Sequence, residues 1–148
     1  MISPISVLID AENVDHAFWP QIASRLGNIG KHFNVRVFGD FSERQRGDWI
    51  KLARAECFEV SMQLGHNNAC DIAITIAAMD LLHAGTMATI CLVASDADYT
   101  PLIQRLRRAG VNVHGLGEGK TPAPLRKACT SFTILKSKPK PVIVAKAA

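Results

Sequence analysis

Asp10 closes the apolar run VLI at 7–9 and opens the segment DAENVD. Asp96 and Asp98 follow a second apolar run, ICLVA at 90–94, in the segment SDAD. Asp71 sits in NNACDIA, at the head of a long apolar-rich stretch. Unpaired carboxylates brought together repel one another and hold their protons more tightly. A hard divalent cation relieves that repulsion. Mg²⁺ and Mn²⁺ prefer oxygen ligands, often one or two carboxylates with waters and substrate phosphates. Such a centre can activate water, orient a phosphate and stabilise a leaving oxygen, which are the requirements of phosphodiester hydrolysis. Asp10, Asp71, Asp96 and Asp98 are therefore the candidate metal-ligating and catalytic residues. Asn13, three residues past Asp10, is a candidate to steady a ligand or bond a phosphate, and Ser95 a candidate donor to either.

Plainer roles compete with each of these. Asp71 and Asp98 are also suited to the first turn of a helix, where carboxylates favour the macrodipole. Asp10 and Ser95 are also turn residues, and Asn13 a cap or turn residue. Yet Asp71 is flanked by Cys70, Ile72 and Ala73, where an unpaired charge is costly. Glu12 is a further acid beside the first cluster, and Asp40 follows a strand and is placed to line the same rim. Asp15, Glu43 and Asp48 lie near loops and are expected to be solvated. Asp80 falls about 180° round the helix from Asp71 and is expected away from the site. His16, His32, His66, His83 and His114 are scattered. Cys57, Cys70, Cys91 and Cys129 occur singly, without zinc-site spacing. All are expected to be reduced, with Cys57 and Cys91 acting as small hydrophobes inside apolar runs.

The elements that must position these groups alternate. Strands are expected at 5–9, 33–38, 57–62, 88–94, 111–116 and, as an edge, 132–135. Helices are expected at 18–26, ended by Gly27; at 49–55; from Asn67 or Asn68 to 83; from Thr100, as cap, with Pro101 following, to Gly110; and at 124–128. In the long helix, Ile72, Ile76, Met79 and Leu82 recur at three- and four-residue spacing. In the next one, Leu102, Ile103, Leu106 and Ala109 form the inner face, with Arg105, Arg107 and Arg108 outside. The apolar run at 88–94 suits a central parallel strand covered on both faces. The alternation implies a three-layer α/β sandwich with a mostly parallel sheet of five or six strands. In such sheets, sites lie at the carboxyl ends of strands near the switch in strand order, where Asp10 and Asp96 fall.

The chain has 148 residues, with a formal charge of +4 from 17 basic and 13 acidic residues. Lys136, Lys138, Lys140 and Lys146 follow Leu135 with no acid among them, so the first 135 residues balance at 13 of each sign. The reading is one domain over 1–135 and a basic, mobile tail over 136–148. The tail offers salt-dependent attraction to a phosphate backbone. Arg44, Arg46 and Lys120, in loops after strands, are candidate substrate-binding cations or plain surface charges. The apolar-rich segment 69–82 is interrupted by Asp71, Thr75 and Asp80 and falls short of the roughly 20 residues that cross a bilayer. The N-terminus lacks the basic segment of a signal peptide, so a cytoplasmic location without membrane contact is expected.

VLIDAEN at 7–13, NNACDIAITIAAMDLL at 67–82 and LVASDADYTPLIQRLRRAGVNVHGLGE at 92–118 resemble the NYN domain, the LabA-like branch of the PIN-like nuclease superfamily. The resemblance runs from about Ser6 to Leu135. It implies a Rossmann-like sandwich with the first strand central, and Mg²⁺- or Mn²⁺-dependent endoribonuclease activity leaving 5′-phosphates. It places Asp10, Asn13, Asp71, Ser95, Asp96 and Asp98 at the family's site positions. Relatives often read KNAAD where this chain reads NNACD, so Asn67 stands in place of a lysine. Relatives often carry a further RNA-binding module, so specificity is expected from the body, the tail or a partner protein. Two enzyme-like alternatives are a Toprim-like domain, which has glutamate as its first acid and gives Asp71 no role, and a receiver domain, whose lysine is replaced here by a Leu116-Gly117 turn. A third alternative is a non-catalytic RNA- or protein-binding module. Phe18 and Trp19 belong either to a homodimer contact or to the core.

Overall fold

A computed structural model describes residues 4–42, 47–63 and 68–136. Six strands form one sheet: β1 (Ile5–Asp10), β2 (Phe33–Gly39), β3 (Glu59–Met62), β4 (Thr89–Val93), β5 (Asn112–Glu118) and β6 (Ser131–Leu135). Their order is β3-β2-β1-β4-β5-β6, and every pairing is parallel. Five helices connect them: α1 (Trp19–Ile29), α2 (Gly47–Glu56), α3 (Ala69–His83), α4 (Thr100–Arg108) and α5 (Ala123–Ala128).

Strand alternation divides the core in two. Leu8, Ile90, Leu92 and Val113 face α3, α4 and α5. Val7, Ile9, Cys91, Val93 and Leu116 face α1 and α2. The sheet is therefore covered on both sides, as its continuous apolar strands require. The strand order reverses between β1 and β4. That opens the crevice at the carboxyl ends of the two strands, and Asp10 ends the first of them.

Several local expectations give way. Helix α1 passes through exposed Gly27 and continues to Ile29, because Ile29 packs against the core. Cys57 is not a buried hydrophobe: it is exposed and left-handed, with φ of 59°, and this break delays β3 to Glu59. Thr100 is the first residue of α4 rather than its cap. The chain first makes a short 3-10 turn over Ala97–Tyr99, capped by the Asp96 side chain. Ala109 is exposed, beyond the last turn of α4. The Leu116-Gly117 pair lies within β5 and forms no turn.

The inner face of α3 is corrected in its first half, whereas Met79 and Leu82 of the expected stripe do pack against the core. Ile72 and Ile76 are 58% and 56% exposed, while Cys70, Ile74, Ala77 and Ala78 are buried. The buried face combines Ile74 with the small residues Cys70, Ala77 and Ala78. All four cysteines are free. Phe18 is buried and Trp19 packs edge-to-face on Phe58, with ring centroids 4.6 Å apart, so both serve the core. Among the described residues no helix is long and apolar enough to cross a membrane. Arg44, Arg46, Glu43, His66, Asn67 and the segment 137–148 lie outside the described residues.

Candidate metal centre

Asp10 has the strand parity of Leu8, so its side chain turns toward the layer of α3 and α4. There it is fully buried. Its Oδ1 accepts from the Glu12 backbone N–H at 3.1 Å, and the Cys70 thiol lies 3.5 Å from the same oxygen. Its Oδ2 accepts from Asn13 Nδ2 at 3.0 Å and lies 3.1 Å from the Tyr99 hydroxyl, whose one proton is contested by Asp71. The Glu12 and Asn13 N–H groups thus donate to a carboxylate that has about four acceptor positions, while the Cys70 thiol lies nearer the Phe38 carbonyl oxygen, at 3.3 Å. Asn13 and Glu12 are placed by the tight turn after β1, in which the Asn13 and Val14 N–H groups return to the Asp10 carbonyl.

Asp71, Asp96 and Asp98 form a second, more open group. One carboxylate oxygen from each lies within 4.8 Å of the others. Asp71 arrives from the first turn of α3, and Asp96 and Asp98 from the 3-10 turn after β4. Asp96 Oδ1 accepts from the Asp98 N–H at 3.0 Å, which closes that turn. Asp71 Oδ1 accepts from the Tyr99 hydroxyl at 3.0 Å. Burial pushes the Asp71 carboxyl up from 3.8 to about 6, the negative charges of Asp10, Asp96 and Asp98 push the same way, and the Tyr99 hydrogen bond acts against them. Three converging oxygen donors suit a hard cation such as Mg²⁺ or Mn²⁺.

The four predicted acids therefore meet in two tiers, with Asp10 beneath and the other three at the rim. Ser95 is buried, and its Oγ accepts from the Glu118 N–H at 3.0 Å. That bond fastens the end of β4 to β5 across Gly117, where a Cβ would stand 2.6 Å from the Ala94 carbonyl oxygen. Asn13, Ser95, Asp96, Ala97, Lys120 and Pro122 line a cavity of about 330 Å³. Lys120 also pairs with Glu118 at 3.5 Å. On the other flank, Asp71 and Asp98 share a cavity of about 320 Å³ with the exposed Ile72 and Ile76. Glu12 Oε1 accepts from the Asp40 N–H at 2.6 Å, which ties β1 to the exit of β2. Asp80 is exposed on the far side of α3.

Tyr99 is the residue that sequence reasoning missed. It is the chain's single tyrosine, next to Asp98, and it is fully buried. A buried tyrosine needs a partner for its hydroxyl. Its position in SDADY, within a segment that had already supplied two acids, was the available signal.

Two solved structures are similar to this chain at low identity. MurG of Acinetobacter baumannii is 11% identical, with a TM-score of 0.49 over 93% of this chain and 47% of that one. The delta subunit of eIF2B from Chaetomium thermophilum is 15% identical, with a TM-score of 0.41 over 93% and 53%. The chain spans about half the length of each. Comparison with curated proteins finds no match. The family model described as the NYN domain covers residues 4–136. That span takes in all six strands and every acid of both tiers, and the Toprim-like and receiver-like alternatives fall away. The chain belongs to the NYN domain family, within a nuclease superfamily.

Proposed function

We propose that this chain is a metal-dependent ribonuclease that hydrolyses RNA phosphodiesters and leaves 5′-phosphates. One observation carries the reading: Asp71, Asp96 and Asp98 converge at the β1/β4 switch point of an NYN domain. These three carboxylates would hold Mg²⁺ or Mn²⁺, which supplies charge stabilisation at the phosphate and a lowered pKa for water. Asn13 fixes Asp10 by its amide, and Ser95 holds the β4 turn that presents Asp96. Lys120, exposed beside Asp96 in the shared cavity, attracts the backbone next to the scissile phosphate. With the body formally neutral, RNA affinity is modest and salt-sensitive, and Arg44, Arg46 and the lysine-rich tail add to it. Greater specificity comes from the body, the tail or a partner protein.

The test incubates labelled single-stranded and structured RNA with purified protein in Mn²⁺, Mg²⁺ or EDTA. Cleavage is expected with either metal, none in EDTA, and loss of at least about 100-fold in Asp96→Asn or Asp98→Asn. Metal-dependent cleavage that survives both substitutions overturns the site. RNA binding without cleavage in every condition replaces the reading with a non-catalytic RNA-binding module.

A further inference from the structure

The two cavities that flank the metal centre differ in chemistry. The one beside Asp96 holds Lys120. The other, of about 320 Å³, is lined among the described residues by Asn68, Asp71, Ile72, Thr75, Ile76 and Asp98, with no cation. Ile72 and Ile76 stand four residues apart on α3, so their side chains are neighbours on one helix face. More than half of each is exposed. Exposed apolar residues scattered singly are ordinary. The other large ones among the described residues, Val60, Met62 and Ile134, lie on the edge strands β3 and β6. Ile72 and Ile76 instead form a paired apolar wall in the same hollow as two of the three converging carboxylates.

Asn68 extends that row by a further turn. It occupies the N-cap position of α3, where an asparagine side chain usually bonds a free N–H of the first turn. Here it makes no such bond, and the residue is exposed on the cavity wall. Its amide therefore keeps both donor and acceptor for a ligand. Thr75 offers less, because its hydroxyl donates to the Asp71 carbonyl oxygen at 2.8 Å.

Charge selects the occupant. A second copy docked symmetrically on this face would bring its own Asp71 and Asp98 against this pair, like charge against like. An apolar protein surface would strip water from the same carboxylates without replacing it. A nucleotide avoids both penalties. Its phosphate shares the cation of the centre, and its base has a flat face that packs on apolar side chains and an edge that hydrogen-bonds. The volume is at the lower end of small-ligand sites, on the order of 300 Å³, and suits one nucleoside rather than a stretch of duplex.

We propose that Ile72 and Ile76 seat one unpaired nucleobase, that of the nucleotide next to the phosphate at the Asp71-Asp96-Asp98 centre, and that the Asn68 amide bonds its edge. The inference rests on the ribonuclease reading of the previous section and narrows its substrate to RNA that is single-stranded at the cut. A base inside a helix has its faces stacked and its edge paired, so it cannot reach the wall.

The experiment moves a single abasic nucleotide along a short end-labelled single-stranded RNA and reads cleavage at each phosphodiester in Mn²⁺. The proteins are the full chain as wild type, Asn68→Ala, Ile72→Ala, Ile76→Ala and the double isoleucine variant. With wild type, the abasic nucleotide is expected to slow cleavage by roughly 5–50-fold at one fixed offset from the cut. The double isoleucine variant is expected to lose a similar factor on intact RNA, through KM with kcat within about twofold. It should lose nothing further when the abasic nucleotide stands at that offset, because both changes remove one contact. Asn68→Ala is expected to lose less and to alter which base is favoured there. Paired positions of a hairpin are expected to be cut more slowly than the same sequence unpaired.

Additive losses from the abasic nucleotide and the double isoleucine variant overturn the inference, as does wild-type cleavage indifferent to the abasic position; the ribonuclease reading survives both. The abasic change is made in the RNA, so it tests the base seat even if a protein variant fails to fold. Wild type that binds these RNAs in Mn²⁺ without cutting them removes the ribonuclease reading. In that case the same coupling, measured by fluorescence anisotropy, upholds the base seat and additivity overturns it. Self-association by sedimentation that the isoleucine variants abolish, with RNA handling unchanged, assigns the face to a second copy and overturns the inference. Wild type that neither binds nor cuts RNA overturns both readings.

Discussion

Replacing Asp71 with asparagine should stabilise the metal-free protein at neutral and alkaline pH. The Asp71 carboxyl rises from 3.8 to about 6, first through burial and then through the charges of Asp10, Asp96 and Asp98. The folded chain therefore holds the Asp71 proton more tightly than the unfolded chain does. The stability linked to that proton is fully present below about 3.8 and is lost as pH rises through about 6. A rise of that size corresponds to at most about 3 kcal/mol. Asp71 is only half-buried, so water and salt screen much of it, and about 1–1.5 kcal/mol is the expected cost at pH 8. Asparagine keeps the shape and the acceptor oxygen for Tyr99 and removes the charge. In a chain of this length each kcal/mol moves the melting temperature by roughly 2–4 °C. Asp71→Asn in EDTA should therefore melt about 2–6 °C above wild type at pH 8, with the gain shrinking as pH approaches 4. Adding Mn²⁺ should reverse the order, since only wild type retains the full ligand set and gains by mass action. Urea titrations at pH 4.5 and pH 8, with EDTA or Mn²⁺, measure all four values. An Asp71→Asn protein less stable than wild type in EDTA at pH 8, or equally stabilised at both pH values, refutes the reasoning.

Two further substitutions test the fold around the centre. Ile74→Ala should cost about 2–5 kcal/mol, because Ile74 is completely buried against the sheet. Ile76→Ala, one helical turn's remainder away and 56% exposed, should stay within about 0.5 kcal/mol; equal urea midpoints for the two would show that the wrong face of α3 is turned inward. Gly117→Ala should cost about 1–3 kcal/mol, since its Cβ would lie 2.6 Å from the Ala94 carbonyl oxygen and 2.9 Å from Ser95 Oγ. An unchanged urea midpoint there would contradict the close approach of β4 and β5.

The sheet was legible because its strands carry their own signatures. β1 and β4 are continuous apolar runs ending in acids, so both the strands and their carboxyl-end cargo could be read from residues 7–10 and 90–98. The inward face of α3 was not legible. Apolar residues surround that helix, so Ile72-Ile76-Met79 fits a buried stripe as well as Cys70-Ile74-Ala77 does. What decides is which face the tertiary packing turns inward, and with apolar residues on every side no single-chain periodicity encodes it. The start of α4 misled for another reason. Thr100-Pro101 is a good helix opening, but the Asp96 side chain bonds the Asp98 N–H and starts the turn earlier. The two-tier arrangement was hidden because the side chains around Asp10 come from separate positions, Asn13, Cys70 and Tyr99.

The contrast between the tiers is itself an argument about purpose. Asp10 shows that this fold can bury a carboxylate and bond it to neighbouring donors, the Glu12 and Asn13 N–H groups. The same treatment was available to the rim, where Lys120 stands in the adjoining cavity beside Asp96 and bonds Glu118 instead. The three rim carboxylates are left facing each other, and burial, with the charges of Asp10, Asp96 and Asp98 adding to it, holds the Asp71 proton more tightly than solvent would. Repulsion of that kind lowers the stability of the empty protein, and a structural acid would gain nothing from it. On the metal-centre proposal, an arriving cation relieves it. Net charge hides this completely: the body sums to zero while one rim concentrates three negative groups. Stability lost in the metal-free form and regained on binding is therefore the physical trait that separates a working centre from an ornamental cluster of acids.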